Sequence, residues 1–508
     1  MSSSAHFPDS DNFERQSNEF AHWLSSRPGV AVNSKIRIAD LRATAAGRGV
    51  GTFCSTLRTS FPSVPNTTAH LWPVAQAEIV EGEELFTIPR DLVLSTHNSK
   101  LKDLLSQNLE ELGPWLGLML VMIYEFLQGD TSMWAPYFKV LPRDFDTLMF
   151  WSGEELAELR GSAVVNKIGK QGAEELILES IAPIVRSNPT LFPPIDGLAS
   201  YNGNAGIQVL LKLAHTMGSL IMAYAFDVEK PENEDERDGE DGYLTDEEEE
   251  QSSKGMVPLA DMLNADADRN NARLFQEEES LVMKAIKPIR AGEEIFNDYG
   301  EIPRADLLRR YGYVTDNYAP YDVIEVSLEQ LCSAAGLPDA NIENQPRLQL
   351  LESLDLLEDG YAIPRPSPND SLSDLISEEL VILLKTLTLS PDQFSERQQR
   401  QKPPKASFDA TEARLLYNTI RLNQGQYPTS VTQDQELLAQ LNHAETTSGA
   451  LEGTARRRKM AVQVRLGEKE ILQDLSFRLS ALLSNSGATK RTANGSSDDS
   501  RRTKAQRT

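Results

Sequence analysis

Two tyrosines set the chemical question. Tyr299 and Tyr311 are each followed by glycine and lie in a motif-dense stretch, residues 255–314, that also carries GMVPLADMLNADADRNNARLF, a KAIKPI strand and a turn at Ala291-Gly292. A tyrosine presents a flat apolar face with one polar end, the combination a site needs to desolvate a group and still orient it. Some two hundred residues earlier, Gly47-Arg48-Gly49-Val50-Gly51 would let backbone N–H and C=O groups approach a ligand closely. Read singly, these features are ordinary, since Tyr-Gly pairs and glycine runs both make tight turns. A dinucleotide loop needs a strand before it, a helix after it and an acid about 20 positions on. Here the strand-like TFCSTL follows and no such acid stands at that distance. Asp266, Asp268, Asn270 and Glu277 match calcium-loop positions 1, 3, 5 and 12. The required glycine is instead Asn271, the apolar position is Arg273 and the flanks do not read as helices, so a polar loop is the better account.

Composition narrows the remaining chemistry. The chain has 508 residues, enough for two or more domains, and only two cysteines, Cys54 and Cys332. They cannot form a disulfide framework or a cysteine zinc site, and they suit a reducing compartment. The histidines show no i, i+4 pair or ligand spacing, so no metal is expected. The first residues lack the basic and apolar regions of a signal peptide, and the apolar run at 115–128 is shorter than the roughly 20 residues that span a bilayer. A soluble intracellular protein without membrane attachment is expected. The net charge is −26, and residues 227–250 alone hold 14 acidic and 2 basic side chains. Such a balance repels phosphate backbones, which disfavours direct nucleic-acid binding and favours a basic protein partner.

The elements that must position the tyrosines follow from periodicity. Residues 1–29 form an N-terminal segment with a short amphipathic helix, 15–29, whose Phe20, Trp23 and Leu24 share one side. Alternating strand candidates and tight turns occupy 30–99. The period becomes helical over 100–226, and an acidic stretch, 227–254, has too little to bury to offset its ordering entropy and is expected to be a disordered loop. Strand signals return at 255–314. A helical block, 100–254, therefore interrupts two β pieces of one domain. From 330 to 484 the pattern is helical again, as a separate all-α domain, and 485–508 is a polar, basic, disordered tail compatible with a nuclear import signal.

Taken together, GRGV, ADMLN, AGEEIFNDYG and LLRRYGYV resemble the split SET domain of lysine methyltransferases of the Rubisco-methyltransferase-like class, in particular the fungal ribosomal lysine methyltransferases and their nuclear animal relatives. SMWAPYFKVLPRDFDTLMFWSGEEL (132–156) is similar to that class's inter-strand insert, and RRRKMAVQVRLGEKEIL (456–472) to the end of its helical substrate-binding domain, so the likeness runs from about 30 to 480. It implies an α+β fold: a SET-type β domain split by a helical insert, followed by an all-α substrate-binding domain. It also implies S-adenosyl-L-methionine as cofactor, held by Ala46, Gly47, Arg48, Gly49, Asn264, Ala265 and Tyr299. Tyr299 would be catalytic. Asp261, Tyr311 and Trp134 would meet the substrate lysine, with Tyr137 a further candidate and packing the other role for the two insert aromatics.

Ala265 stands where the family has histidine, which removes a side-chain hydrogen bond worth about 0.5–1.5 kcal/mol. The implied activity is methyl transfer to a lysine of a large-subunit ribosomal protein or another basic nuclear protein, with localisation in the nucleus, the cytoplasm also being open, and no metal. The alternative is a non-catalytic SET-like module that grips lysine-rich segments. In the enzymatic case the amine must lose its proton before attack, and an apolar channel lowers a lysine pKa that is ordinarily about 10.4.

Overall fold

The computed structural model describes residues 10–40, 50–53, 78–195, 197–228, 253–449 and 451–494. The chain divides into two compact units. The first holds Met1–Ser152, Ile168–Ile302 and Asp306–Tyr318; the second holds Gly153–Lys167, Pro303–Ala305 and Ala319–Thr508.

In the first unit, β1 (Ala31–Val32), β4 (Glu84–Pro89), β10 (Ser280–Ala285) and β9 (Ala272–Gln276) form an antiparallel sheet in the order β1-β4-β10-β9. The central pair aligns Ile88 with Leu281 and Phe86 with Met283, and all four side chains are buried. Strands almost two hundred residues apart in sequence are thus direct neighbours, as expected for one β domain interrupted by an insertion. A bulge between Met283 and Lys284 shifts the register at the end of β10. A second sheet, β5 (Leu94–Ser95), β7 (Lys254–Met256) and β6 (Ala225–Asp227), closes the base of the insert, because β6 ends the helical block and β7 begins the returning strands. Asp227 and Lys254, expected in the acidic loop, therefore belong to paired strands, and residues 229–252 lie outside the described ones.

Two long helices fill the insert. Ser106–Leu127 bends at Gly113-Pro114, where Gly113 has φ +69 and proline cannot continue the preceding ladder. Its Glu125 is buried, yet Ser99 and Ser132 each donate to its carboxylate at 2.6 Å. Gly203–Tyr224 is long and apolar enough to cross a membrane by length and composition, but half of its most apolar window is buried in the protein core, including Leu210, Ala214, Met217 and Ile221. The N-terminal helix, Ser10–Ser25, buries Phe20, Trp23 and Leu24 as its spacing predicts.

The second unit is mostly helical, with one exception to the all-α expectation. Val323–Ser327 (β12) and Gly360–Pro364 (β13) pair antiparallel, and Ile324, Val326, Tyr361 and Ile363 turn inward at period two. Capping boxes start several helices, with Ser327 and Gln330, Ser390 and Gln393, Asp409 and Glu412, and Ser430 and Gln433 as the reciprocal pairs. The last helix, Gly453–Asn494, continues past the start of the basic tail read from sequence, and residues 495–508 lie outside the described ones.

Buried charge explains why residues 153–167 join this unit, although the sequence placed them in the insert. Arg465, 2% exposed, donates to Asp434 at 2.9 Å and to Glu158 at 2.7 Å, while Lys469 also pairs with Asp434. Ser162 donates to the buried Glu468 at 2.6 Å, and the Tyr427 hydroxyl donates to the other oxygen at 3.0 Å. Burial pushes Glu468 up to about 8, against the pull of those two bonds.

Nearby, Arg304 is locked to Asp322 at 2.6 Å, and Arg365 reaches both Asp322 at 3.1 Å and the Gly467 carbonyl at 3.2 Å. A Cβ at Gly467 would run into Asp322 Oδ2 and Arg304 Nη2, neither of which can move without breaking its partner's bonds. Gly467→Ala is therefore expected to destabilise the protein by about 1–3 kcal/mol, measured as a lower urea midpoint, although alanine is the better helix former.

Candidate active site

The site is built on a short parallel pairing. In β8 (Asn264–Ala265) and β11 (Phe296–Asn297), Asn264 lies opposite Phe296 and Ala265 opposite Asn297. Parallel neighbours need a crossover of a dozen or more residues, and here the β9–β10 hairpin supplies it. Two side chains hold the join. Asn271, 8% exposed, donates from Nδ2 to the Glu294 carbonyl and accepts from the Phe296 N–H, both at 2.9 Å. Asp266 accepts from the N–H groups of Asp268 at 3.1 Å and Arg269 at 2.9 Å, from Asn317 at 3.2 Å and from the Arg269 guanidinium at 2.6 Å. That guanidinium sits 4.7 Å over the Phe296 ring, a cation–π contact.

The calcium-like pattern is therefore spent on protein contacts. Asn270 donates to Asp298 at 2.6 Å and Glu277 pairs with Lys284 at 2.9 Å. Among the described residues no cluster of three or more His, Cys, Asp or Glu could hold a metal ion.

Asn264 donates to Glu294 Oε1 at 2.7 Å, which fixes the rotamer of its amide. Burial raises the Glu294 carboxyl, against the pull of Asn264 and Arg269. Glu294 is a support that sequence reasoning passed over, and Asn271 one that it read only as part of a calcium-like pattern. The signal for Glu294 was present, since it is the first residue of the Glu-x-x-x-x-Tyr-Gly spacing that picks out Tyr299.

Past β11 the chain turns at Gly300, φ +77, whose N–H donates to Asp298 at 2.7 Å. The turn delivers Tyr299 against Tyr311. Their rings are stacked, with centroids 4.1 Å apart and planes 7° from parallel, and Tyr313 tilts against Tyr311 at 6.4 Å. Burial drives the Tyr299 phenol well above its usual range, and the neighbouring Tyr311, Tyr313, Tyr224 and Tyr318 push the same way. Tyr299 is thus a neutral O–H donor at any physiological pH. Gly312 explains the second Tyr-Gly pair. With φ +75, its Cα passes so close to the backbone at 146–147 that a Cβ would meet Thr147 N at 2.8 Å and the Asp146 carbonyl carbon at 2.9 Å.

Asp261 lies in a one-turn helix, Ala260–Met262, three residues before Asn264. It follows Leu259, held at φ +78 and ψ −40, a conformation that costs a non-glycine residue of order 1–3 kcal/mol. Asp261 is buried, and its Oδ2 accepts a short hydrogen bond from Tyr137, which is 0% exposed. Among the described residues its Oδ1 has no hydrogen-bond partner, an arrangement that costs about 1–3 kcal/mol. Burial lifts the carboxyl to about 7, although the Tyr137 bond pulls it down.

Trp134 is held in the core of the insert. It is 1% exposed and its indole N–H is taken by the Leu92 carbonyl at 2.9 Å, which fits the packing role named as the alternative. Ala46, Gly47, Arg48 and Gly49 lie outside the described residues; the strands on either side, β2 (Arg37–Asp40) and β3 (Val50–Phe53), pair with Asp40 opposite Val50.

Comparison with known proteins bears on this arrangement. A SET-domain family model matches residues 73–300, and a Rubisco LSMT substrate-binding model matches 344–472. The chain is 36% identical to ribosomal lysine N-methyltransferase 4 of Saccharomyces cerevisiae over 332 residues, 64% of this chain and 60% of that protein. It is 30% identical to the Mus musculus N-lysine methyltransferase SETD6 over 441 residues, 80% of this chain and 84% of that protein. Among solved structures it is similar to Rubisco LSMT bound to AdoMet, with a TM-score of 0.63, 19% identity, and 96% of this chain and 97% of that one covered.

Two outcomes follow from the geometry. Gly312→Ala is expected to cost about 1–3 kcal/mol, from backbone strain and close approach together, measured by urea denaturation. Asp261 holds a proton in the folded chain, up to about pH 7, that the unfolded chain releases near 3.8. Folding stability should therefore fall as pH rises between those values and stay lower above them. Asp261→Asn should flatten that dependence; an unchanged profile of melting temperature against pH would contradict the assignment.

Proposed function

The chain belongs to the SET-domain protein-lysine methyltransferases, and from that premise we propose that it methylates a lysine of a large-subunit ribosomal protein, or of another basic nuclear protein, using S-adenosyl-L-methionine. The observation that carries the reading at this site is the Tyr299–Tyr311 stack, a neutral phenol and an aromatic wall delivered by the strand that pairs with Asn264. The ribosomal assignment draws on the likeness to the yeast protein and on the net charge of −26, which attracts a lysine-rich partner at a rate that falls with salt. A nuclear location accords with the basic residues near the C-terminus, Lys490-Arg491 and Arg501-Arg502 with Lys504.

The residues present suit this cofactor. An amide fixed by Glu294 orients the Asn264 carbonyl oxygen as an acceptor for an amino group, and the chain beside Ala265 is regular strand able to contribute backbone contacts. When bound, the cofactor supplies a methyl group on a sulfonium, which departs by in-line displacement.

The protein's part is orientation and exclusion of water. Tyr299, kept protonated by burial, places a hydroxyl dipole where charge changes during transfer, and Tyr311 supports its ring and walls the lysine path. Desolvation by these rings lowers the lysine pKa toward the neutral amine. Asp261, on the segment that carries Asn264, is the acid that this reading sets toward the entering ammonium.

The purified protein, incubated with tritiated methyl donor and total ribosomal protein, should label a large-subunit protein, with mass spectrometry placing the methyl group on lysine. Tyr299→Phe should lower kcat by about 10²–10³ while leaving cofactor affinity largely intact. Absence of transfer to any ribosomal or nuclear protein would remove the substrate assignment, and equal rates in parent and variant would remove Tyr299 from its role.

A further inference from the structure

A lysine methyltransferase must dispose of a proton before it moves a methyl group, because an ammonium nitrogen has no lone pair to attack with. Tyr299 cannot accept that proton, since burial holds its phenol protonated far above neutrality. The Tyr137–Asp261 pair is built differently. Asp261 is buried, one carboxylate oxygen bound to Tyr137 and the other, among the described residues, outside normal hydrogen-bond geometry to any partner, although the backbone N–H groups of Asp261 and Leu259 lie near enough to lower the carboxyl. An unpaired buried acceptor is a place where an arriving N–H donor gains more than it would at the surface. The strained Leu259, two residues before it, marks a backbone held in a costly shape, as segments that present a functional group often are.

The pair belongs to the same neighbourhood as the tyrosine stack. Asp261 is three residues from Asn264, and Asn264 pairs with Phe296, three residues before Tyr299.

We propose that Asp261 takes the proton from the substrate lysine and that Tyr137 is the positioning residue that orients its carboxylate for the task. The inference rests on the lysine-methyltransferase reading above. In the step an N–H bond of the ammonium breaks, an O–H bond forms on Oδ1 and the nitrogen keeps the electron pair. A charged pair becomes an amine and a carboxylic acid, which a dry site favours. The proton passes to water once the methylated product has left. A carboxyl lifted to about 7 is a far better acceptor near neutrality than an ordinary surface aspartate. Among the described residues the titratable group bonded to it is Tyr137, on which Tyr224 acts in turn; the Tyr137 phenol is itself pushed well above its usual range by burial and by Asp261, so it stays a donor.

The test is the pH profile of kcat, from about pH 5.5 to about 9.5, for the parent, Tyr137→Phe and Asp261→Asn, with tritiated S-adenosyl-L-methionine and total ribosomal protein. The parent rate should rise to a plateau with a midpoint near 7. Losing the Tyr137 bond removes a group that lowers Asp261, so the Tyr137→Phe midpoint should move up by about one pH unit, cutting the rate several-fold at neutrality and recovering it by about pH 9. Asp261→Asn should fall about 10²-fold and lose the limb altogether. Calorimetric binding of S-adenosylhomocysteine should be the same in all three, which separates proton transfer from cofactor loss.

A Tyr137→Phe rate reduced by one factor at every pH, or an Asp261→Asn profile that keeps the parent limb, overturns the proposal. If Asp261→Asn does not fold, the Tyr137→Phe midpoint decides alone. A parent that transfers no methyl group fails the reading of the previous subsection, whereas an active parent with unmoved variant profiles fails only this one.

Discussion

The site depends on keeping β11 beside β8. Two residues on each strand make a weak parallel ladder, and the chain between them has to leave, form a hairpin and return. Asn271 makes this possible, because one buried amide bonds backbone groups of both Glu294 and Phe296 from a position just before β9. Asp266 performs the matching task at the other end by gathering two backbone N–H groups, Arg269 and Asn317. An amide or carboxylate that satisfies several donors at once specifies a backbone path more tightly than apolar packing would, since each misplacement strands a buried polar group. Tyr299 inherits its position from that path, three residues beyond the clamped Phe296.

The larger architecture serves the same join. β4 and β10 interlock Phe86 and Ile88 with Leu281 and Met283, so the hairpin that carries β11 back is anchored in the main core. The helices of the insert then enter and leave through β5, β6 and β7, a small sheet that holds the ends of the block together. Glu125 shows how the insert tolerates polarity: its two oxygens are each met by a serine hydroxyl, one before and one after the helix that bears it.

Much of this was legible in the sequence, and the reasons differ by feature. The split β domain and the helical units follow from hydrophobic period, which is local, and the tyrosine pair from motif spacing. What escaped is non-local. Residues 153–167 read as part of the insert because their helical pattern matches their neighbours, yet Glu158 and Ser162 find their partners three hundred residues later, at Arg465 and Glu468. Aromatic type alone does not reveal the burial of Trp134; the Leu92 carbonyl that takes its N–H is 42 residues away. The short β12–β13 pair hid among helices because five-residue alternation is a faint signal beside strong capping boxes. Asp266 and Asn271 did attract notice, but for a calcium pattern rather than for the backbone they bind.

Ala265 becomes intelligible on the same grounds. In the family resemblance a histidine stands there, and its loss would matter most if the side chain organised the strand. It does not: the β8–β11 pairing uses the backbone of Ala265 opposite Asn297, and the rotamer of Asn264 is set by Glu294 rather than by its neighbour. A missing imidazole therefore subtracts one hydrogen bond of about 0.5–1.5 kcal/mol, at most about a tenfold weakening of whatever it would have touched, and leaves the geometry of Asn264 and Tyr299 unchanged. The constraint that shapes this site lies in the clamp beneath the strands, and Ala265 is not part of it.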